Sequence, residues 1–240
     1  LVYQPMIDLL TGEVHGAEAL LRWHHPTRGE VRPDEFIPVA ERSGLIKEIG
    51  QWVLHEAMRE AVRWQVGGER YVSVNVSAVQ LRDETFVAQV EFALRDTGLD
   101  PARVLLEVTE TVLVDEIEAA TTSLSALRDL GVRIGIDDFG TGYCSLSYLQ
   151  KFPVDVVKID REFVDEVDGD VKRSSLARMI LQMTSSMGVT SVAEGIERPA
   201  QITALQLLGC DVGQGFLLSR PLERDVVRAK FGAAVPVGQP

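Results

Sequence analysis

The sequence contains little cysteine: only Cys144 and Cys210 occur in 240 residues, and they do not form a CxxC pair. This scarcity excludes a scaffold held together by disulfides and is typical of a protein from the reducing cytoplasm. Long apolar runs are also missing, whereas a membrane-spanning helix needs about 18 consecutive apolar residues. We therefore expect a cytoplasmic segment without membrane contact, which does not exclude a membrane anchor elsewhere in a full-length protein.

Positive charge is scarce as well. The chain has 24 Lys and Arg residues against 36 Asp and Glu residues, a formal net charge of −12 and an isoelectric point near 4.8. Binding to a nucleic-acid polymer depends on a basic face, so we do not expect such a partner. An acidic protein can still bind a phosphate group when metal ions mediate the contact.

The first residues carry no export signal. The stretch "LVYQPMIDL" has neither a basic region nor the apolar core of a signal peptide, and it begins inside a predicted strand without an initiator Met. We expect a domain cut from a longer protein, or a chain whose start is missing. The predicted organisation is one domain over residues 1–231 and a C-terminal tail over residues 232–240.

Predicted strands alternate with predicted helices through most of the chain. The strand-like runs are residues 71–77, 103–110, 132–138, 154–160, 189–195 and 210–216, and the helical runs are residues 83–98, 115–131, 145–152, 171–188 and 198–209. This alternation predicts a parallel sheet covered by helices. The nearly continuous apolar character of the strands predicts burial on both faces of the sheet.

The N-terminal part departs from this pattern. Residues 1–7 and 13–23 are both strand-like, but only "DLLTG" joins them, which is too short for a crossover helix. These two strands should therefore pair in an antiparallel hairpin. Eight strands in all predict an α/β fold, a (β/α)8 TIM-type barrel with an irregular, antiparallel first strand. An open doubly wound sheet is the alternative, and the lack of a GxGxxG after a first strand counts against it.

Polar side chains interrupt the apolar strands near their C-terminal ends. They are Glu18, Asn75, Glu107, the pair Asp137 and Asp138, Lys158, Glu194 and Gln214. From the second of these to the last, the mean spacing is close to the ~30 residues of one βα unit. In a barrel these side chains would meet at one rim, where active sites are built.

This set offers oxygen ligands and contains no histidine or cysteine, which suits Mg²⁺, Mn²⁺ or Ca²⁺ better than zinc. Two divalent ions about 3.5–4 Å apart would clamp a phosphoryl oxygen and activate a water for in-line attack. Asp137 and Asp138 could serve both ions, and Lys158 could hold the water or stabilise developing charge. Taken singly, each carboxylate could equally cap a helix or pair with a cation, and the lysine could simply neutralise acids.

Other candidate sites give weaker signals. We expect surface or loop positions for the histidines, with His24 and His25 in a loop beyond the second strand, and a packing role for Cys210. The stretch "GTGYCS" lacks the strand-to-helix context of a nucleophile elbow and the Lys-Ser/Thr of a phosphate-binding loop.

The chain resembles the EAL domain, the bacterial phosphodiesterase specific for cyclic di-GMP. The tripeptide that names the family is Glu18-Ala19-Leu20, and eight further motifs follow the family's order and spacing. These are "YQP" (3–5), "FIPVAE" (36–41), "VNVS" (74–77), "LEVTE" (106–110), "DDFGTGY" (137–143), "VKID" (157–160), "VAEGIE" (192–197) and "GQGF" (213–216). The resemblance extends over almost the whole chain.

The resemblance implies roles for the matching residues. The metal ligands would be Glu18, Asn75, Glu107, Asp137, Asp138 and Glu194, with Asp138 serving the second metal. Lys158 would orient the catalytic water, and Glu194 would act as general base or in the metal shell. The contacts to the substrate would be Gln4, Glu18, Leu20, Arg22, Asp138 and Gln214, with the guanidinium of Arg22 on a phosphate. Glu110 would anchor the loop that follows the aspartate pair.

The implied reaction is hydrolysis of cyclic di-GMP to linear pGpG with two Mg²⁺ or Mn²⁺ ions per site. The implied partners are a second copy of the chain, bound through the rim loop and an adjacent helix, and sensor or GGDEF-type domains in a full-length protein. A catalytically inactive EAL domain that serves as a cyclic-di-GMP receptor, a protein-interaction module and an enolising barrel enzyme are the alternatives. The sequence departs from the family at Cys144, where serine is usual, and in lacking the helix that usually precedes "YQP".

Overall fold

The computed structural model describes residues 1–64, 70–110, 117–140, 152–170, 172 and 174–231, with only the backbone for residues 117–120. The strands are β1 (Val2–Asp8), β2 (Val14–Leu20), β3 (Trp23–His25), β4 (Gly29–Val31), β5 (Tyr71–Asn75), β6 (Val104–Thr109), β7 (Arg133–Phe139), β8 (Val156–Ile159), β9 (Thr190–Ala193) and β10 (Val212–Gly213). Eight of them close into a barrel in the order β1-β10-β9-β8-β7-β6-β5-β2. The predicted (β/α)8 barrel is therefore confirmed.

Helices cover the outside of the barrel. They are α1 (Pro33–Ser43), α2 (Ile46–Val62), α3 (Ala78–Leu81), α4 (Phe86–Thr97), α5 (Ile117–Asp129), α6 (Arg161–Val164), α7 (Ser175–Met187), α8 (Pro199–Leu207) and α9 (Arg224–Lys230). Proline opens α1 and α8, where its missing N–H costs no hydrogen bond. Gly44, Gly98 and Gly188 end α1, α4 and α7 with left-handed backbone angles. Within the described ranges, none of the helices has the length and apolar character needed to cross a membrane.

The first strand runs antiparallel to both of its neighbours. The short connection after it predicted this pairing with the second strand. β1 pairs antiparallel with β2 and with β10. The other neighbouring strands of the barrel pair parallel to each other. The carboxylate of Asp8 accepts the backbone N–H groups of Leu10 and Thr11 at 2.9 and 2.7 Å, which forms the turn. In the resulting register Gln4 lies opposite Glu18, so both side chains reach the same rim.

Some details of the prediction are corrected. His24 and His25 lie in β3, which pairs with β4 in a separate two-stranded hairpin, and not in a loop. The last strand is reduced to Val212–Gly213, so Gln214 follows the strand. The helix predicted over residues 145–152, Cys144 and the tail over residues 232–240 lie outside the described residues, apart from Phe152.

An apolar layer fills the barrel beneath the rim. It consists of Met6, Tyr71, Leu105, Val156, Val192 and Val212, each no more than 1% exposed. Most of these residues lie two positions along the chain from a polar rim residue, for example Leu105 from Glu107. A period of two directs both side chains inward. The polar rim therefore lies directly above buried apolar side chains. Within this layer the Tyr71 hydroxyl lies 3.5 Å from the sulfur of Met6.

Candidate active site

The polar residues predicted at the strand ends meet around one buried cation. Lys158 comes from β8, and its ammonium group contacts four carboxylates from four other strands or strand ends. Its Nζ lies 2.7 Å from Glu194 Oε1, 3.0 Å from Glu107 Oε2, 3.2 Å from Asp137 Oδ1 and 3.4 Å from Glu18 Oε2. Because all these strands point their C-terminal ends the same way, one lysine can reach all four.

A second group of side chains extends the cluster toward β1. Asn75 Nδ2 donates to Glu18 Oε1 at 2.6 Å, and Gln214 Nε2 donates to Glu18 Oε2 at 2.8 Å. Gln214 Nε2 also lies 3.1 Å from Gln4 Oε1, and Gln4 Nε2 donates to the carbonyl oxygen of Ser219 at 3.1 Å. Both oxygens of Glu18 are thus oriented by neutral amides, which fixes its carboxylate without neutralising it.

The adjacent carboxylates of Asp137 and Asp138 reach the same site because the strand is irregular there. Neighbouring side chains on a regular strand point to opposite faces. Here the pairing of β7 with β8 shifts register between Ile136 and Phe139, and Asp138 has a left-handed backbone with φ 54°. Aspartate tolerates this conformation better than bulky residues do. The backbone therefore leaves regular strand geometry at the aspartate pair.

Two overlapping groups of carboxylates have the spacing of metal ligands. Glu18, Glu107 and Asp137 form one group, and Asp137, Asp138 and Glu194 form the other; in each, ligand oxygens lie within 4.8 Å of one another. Glu107 Oε1 is buried and has no hydrogen-bond partner. A buried carboxylate oxygen without a donor is costly, and a cation would satisfy it. The donor set, all oxygen with no described His or Cys, fits a hard divalent ion.

The charges of the cluster are unbalanced without a cation. Burial raises the pKa of Glu194 to about 8, and burial holds the pKa of Glu107 well above its usual range. Burial followed by repulsion from Asp137 and Asp160 raises the pKa of Asp138 to about 6. Burial alone would lower the pKa of Lys158, but the surrounding carboxylates outweigh it and hold that pKa well above the ordinary value. Lys158 therefore stays charged.

The remaining predicted site residues occupy three different surroundings. Glu110 Oε2 accepts the backbone N–H of Gly140 at 2.8 Å, directly after the aspartate pair. Leu20 ends β2. Arg22 lies beside the β3–β4 hairpin, where its Nε is 3.9 Å from Glu30 Oε1, and it contacts that hairpin instead of the acidic cluster.

The sequence analysis missed one acidic residue of the site. Asp160 follows β8 immediately, caps α6 by accepting the N–H of Glu162 at 2.7 Å, and lies close enough to Asp138 to raise its pKa. The motif "VKID" contained this signal. Counting one polar position for each strand selected Lys158 and passed over the carboxylate two residues later.

Comparisons with known proteins agree on one family. The EAL domain family matches the chain over residues 1–221. The chain is 41% identical over 242 residues to the cyclic di-GMP phosphodiesterase NbdA of Pseudomonas aeruginosa, and 42% identical over 229 residues to the bifunctional diguanylate cyclase/cyclic di-GMP phosphodiesterase MucR of that organism. These alignments cover 98% and 95% of this chain but 31% and 33% of the relatives. The chain thus spans about a third of their length.

Solved structures give the same answer for the fold. The MucR phosphodiesterase in complex with c-di-GMP is 41% identical with a TM-score of 0.89, and the match covers 95% of this chain and 93% of that one. The EAL enzyme Bd1971, bound to cAMP and cyclic di-GMP, is 32% identical with a TM-score of 0.90, over 96% of this chain and 64% of that one.

Proposed function

Because the chain belongs to the EAL domain family, we propose that it hydrolyses one phosphodiester bond of cyclic di-GMP and releases linear pGpG. The observation that carries the proposal is the pair of carboxylate groups that share Asp137. A shared carboxylate can bridge two neighbouring divalent ions, and two such ions suit phosphodiester hydrolysis. The names of NbdA and MucR support the choice of substrate.

The residues that would hold the ions are Glu18, Asn75, Glu107, Asp137, Asp138 and Glu194, and Mg²⁺ or Mn²⁺ fits their oxygen chemistry. When bound, two such ions would polarise the phosphoryl oxygens and make water a stronger nucleophile. The orphaned Oε1 of Glu107 supports this assignment, because it is buried without a hydrogen-bond donor.

Two side chains would act on the attacking water. Lys158 stays protonated, so it can donate a hydrogen bond to the water or to developing negative charge but cannot serve as a base. Glu194 is 19% exposed, more than the other three carboxylates around Lys158. It is therefore the best placed of the four to accept a proton from water that enters through the rim.

The substrate would bind beside the cluster. A cleft of about 210 Å³ opens there and is lined by Gln4, Glu18, Arg161, Glu194, Gln214 and Phe216, among others. Gln4 and Gln214 offer amides to the ribose or base, and Asp138 and Leu20 complete the contacts at the strand ends. Arg22 would have to turn from Glu30 to reach a phosphate, and breaking that contact costs little because it is 3.9 Å long and partly exposed.

Partners and neighbouring domains belong to the same proposal. We expect a homodimer, and the exposed apolar side chains of Leu176 and Met179 on α7 offer a surface for it. Fusion to a sensor or a GGDEF-type domain would fit a chain that spans only a third of MucR. Glu110 would hold the start of the rim loop through its contact with Gly140.

The test is a turnover assay with purified protein, Mn²⁺ and cyclic di-GMP, analysed by chromatography. Conversion to pGpG that stops when the metal is chelated supports the proposal. Binding of cyclic di-GMP without any pGpG, measured by calorimetry on the same sample, would instead make this domain a receptor. Neither binding nor turnover would leave a role in protein contacts.

A further inference from the structure

Gln201 is a fully buried side chain outside the acidic cluster that uses both ends of its amide. It lies on α8, and its Oε1 accepts the backbone N–H groups of Glu197 and Arg198, both at 2.8 Å. Its Nε2 donates to the carbonyl oxygen of Val164 at 3.1 Å and lies 3.4 Å from a carboxylate oxygen of Asp165. One side chain thus joins the segment before α8 to the end of α6.

The segment that Gln201 holds begins with Glu194. Glu194 directly follows β9, and its N–H donates to the carbonyl oxygen of Ile159 in β8 at 3.1 Å. Gly195 comes next with φ 68°, and a Cβ there would lie 2.5 Å from Cγ of Arg161. The backbone at Gly195 therefore packs directly on α6. Gln201 connects residues 197 and 198 of the same segment to the end of that helix.

The other side of the segment is fixed by the residues that follow β10. Ile196 N–H donates to the carbonyl oxygen of Gln214 at 3.0 Å, and Leu217 N–H donates to the carbonyl oxygen of Ile196 at 3.0 Å. A Cβ on Gly215 would lie 2.2 Å from the backbone of Ile196, so the two segments touch without side chains between them. On the side facing α6, Arg161 pairs with Glu197 at 3.0 Å and Arg198 donates to the carbonyl oxygen of Asp165 at 2.7 Å, but these side chains are exposed. Gln201 supplies the buried support on that side.

We infer that Gln201 is a positioning residue that holds Glu194 at its 2.7 Å distance from Lys158. The catalytic role of this positioning rests on the proposed function, because Glu194 is the residue proposed there to accept a proton from the water. The physical argument is that β8 carries Lys158, α6 follows β8, and Gln201 fastens the Glu194 segment to α6. A buried amide with defined partners orients what it touches. Loss of a partner bound directly to a metal ligand typically costs ~10–100-fold in metal affinity or activity, and Gln201 acts on Glu194 through the backbone, so we expect the low end of that range.

The informative substitution is Gln201→Met, which preserves the length of the side chain but removes both the acceptor and the donor. Gln206→Met is the control for the same chemical change on the same helix. Gln206 is exposed and donates to the carbonyl oxygen of Leu9 at 2.6 Å, on the face of the barrel away from the cluster. Leu205→Ala controls for lost stability, because Leu205 is fully buried on α8.

We expect Gln201→Met to lower kcat about 10-fold or more with KM changed less than about 2-fold, and to weaken Mn²⁺ binding by a similar factor. Amide exchange should rise over residues 194–198 in that variant and stay at the wild-type rate in Gln206→Met. A kcat loss in Gln201→Met no larger than in Leu205→Ala would overturn the inference, as would unchanged exchange over residues 194–198.

Two measurements keep the inference separate from other failures. In the wild-type protein, NMR should show slow exchange of the Glu197 and Arg198 amides; exchange at the rate of solvent-exposed amides would refute the inference even if Gln201→Met does not fold. A wild-type protein that hydrolyses no cyclic di-GMP would contradict the proposed function. The Mn²⁺ affinities and the exchange rates would still decide the role of Gln201 in that case.

Discussion

Lys158 Nζ lies 3.0 Å from Glu107 Oε2, and both side chains are withdrawn from solvent at the centre of the barrel. Removing one partner of a buried ion pair is costly, since the other charge is left without compensation. This pair therefore links the stability of the barrel to the chemistry of its rim.

Lys158→Met should lower the free energy of unfolding of the metal-free protein by about 3–5 kcal/mol, because four carboxylates lose their shared counterion. Urea denaturation with a chelator present measures this. The control is Lys47→Met, which breaks the 2.8 Å surface pair with Asp83 and should cost no more than about 1 kcal/mol. Equal losses in the two variants would show that the buried cation has no special role.

Asp137→Asn should reduce turnover by more than about 100-fold, since even the outer partners of metal ligands cost roughly 10–100-fold. Asp137 belongs to both candidate ion groups, so its loss affects both ions. The fold should survive, because asparagine has the same shape and removes a like charge beside Asp138. Circular dichroism checks that the fold is retained, and steady-state kinetics measure the loss of turnover. An unfolded Asp137→Asn protein would contradict the assignment of Asp137 as a ligand.

Metal binding should stabilise the protein measurably. At a free Mn²⁺ concentration about 100 times the Kd, one ion adds about 2.7 kcal/mol to the free energy of unfolding, provided that the unfolded chain does not bind it. Thermal denaturation with and without Mn²⁺, followed by addition of chelator, tests this reversibly. The Asp137→Asn variant should show a much smaller increase, and an increase equal to that of the wild type would place the ions elsewhere.

His15 should make the protein less stable in mild acid. Burial followed by the nearby charge of Arg133 lowers the pKa of His15 below its ordinary 6.5 in the folded state. Below pH 6.5 the unfolded chain therefore binds more protons, and stability falls as the pH drops toward the folded pKa. His15→Asn should remove this part of the slope when free energies of unfolding are compared between pH 7.5 and 5. Identical slopes in the two proteins would contradict the argument.

The barrel and most of its rim were predictable because they follow from local rules. The five-residue connection after β1 forced an antiparallel hairpin, and parallel strands bring their C-terminal ends to one edge. Positions such as Glu107 and Glu194 therefore had to lie near each other once the strands were recognised. The pairing of Gln4 with Glu18 was not predictable in this way, because the turn sets the register of the hairpin. Only the structure shows it.

Other features depended on contacts that no local pattern encodes. The β3–β4 hairpin has strands of three residues, too short to show an alternating pattern, and it contains His24 and His25. Lys158 contacts four carboxylates because the closed barrel brings the ends of distant strands together. Asp160 was overlooked because its role depends on its distance from Asp138, and the bulge that creates this proximity is tertiary.

The apolar layer beneath the rim, which includes Tyr71, closes the described part of the barrel below the site, so the acidic cluster opens toward the rim. Under the proposed function, ions, water, substrate and product would all exchange through the rim. A dinucleotide seated over the carboxylates would hold the ions in place until it leaves, and an ion lost between turnovers could return only before the next substrate arrives. Under the proposed function, metal would bind before substrate, and product would leave before the metal does.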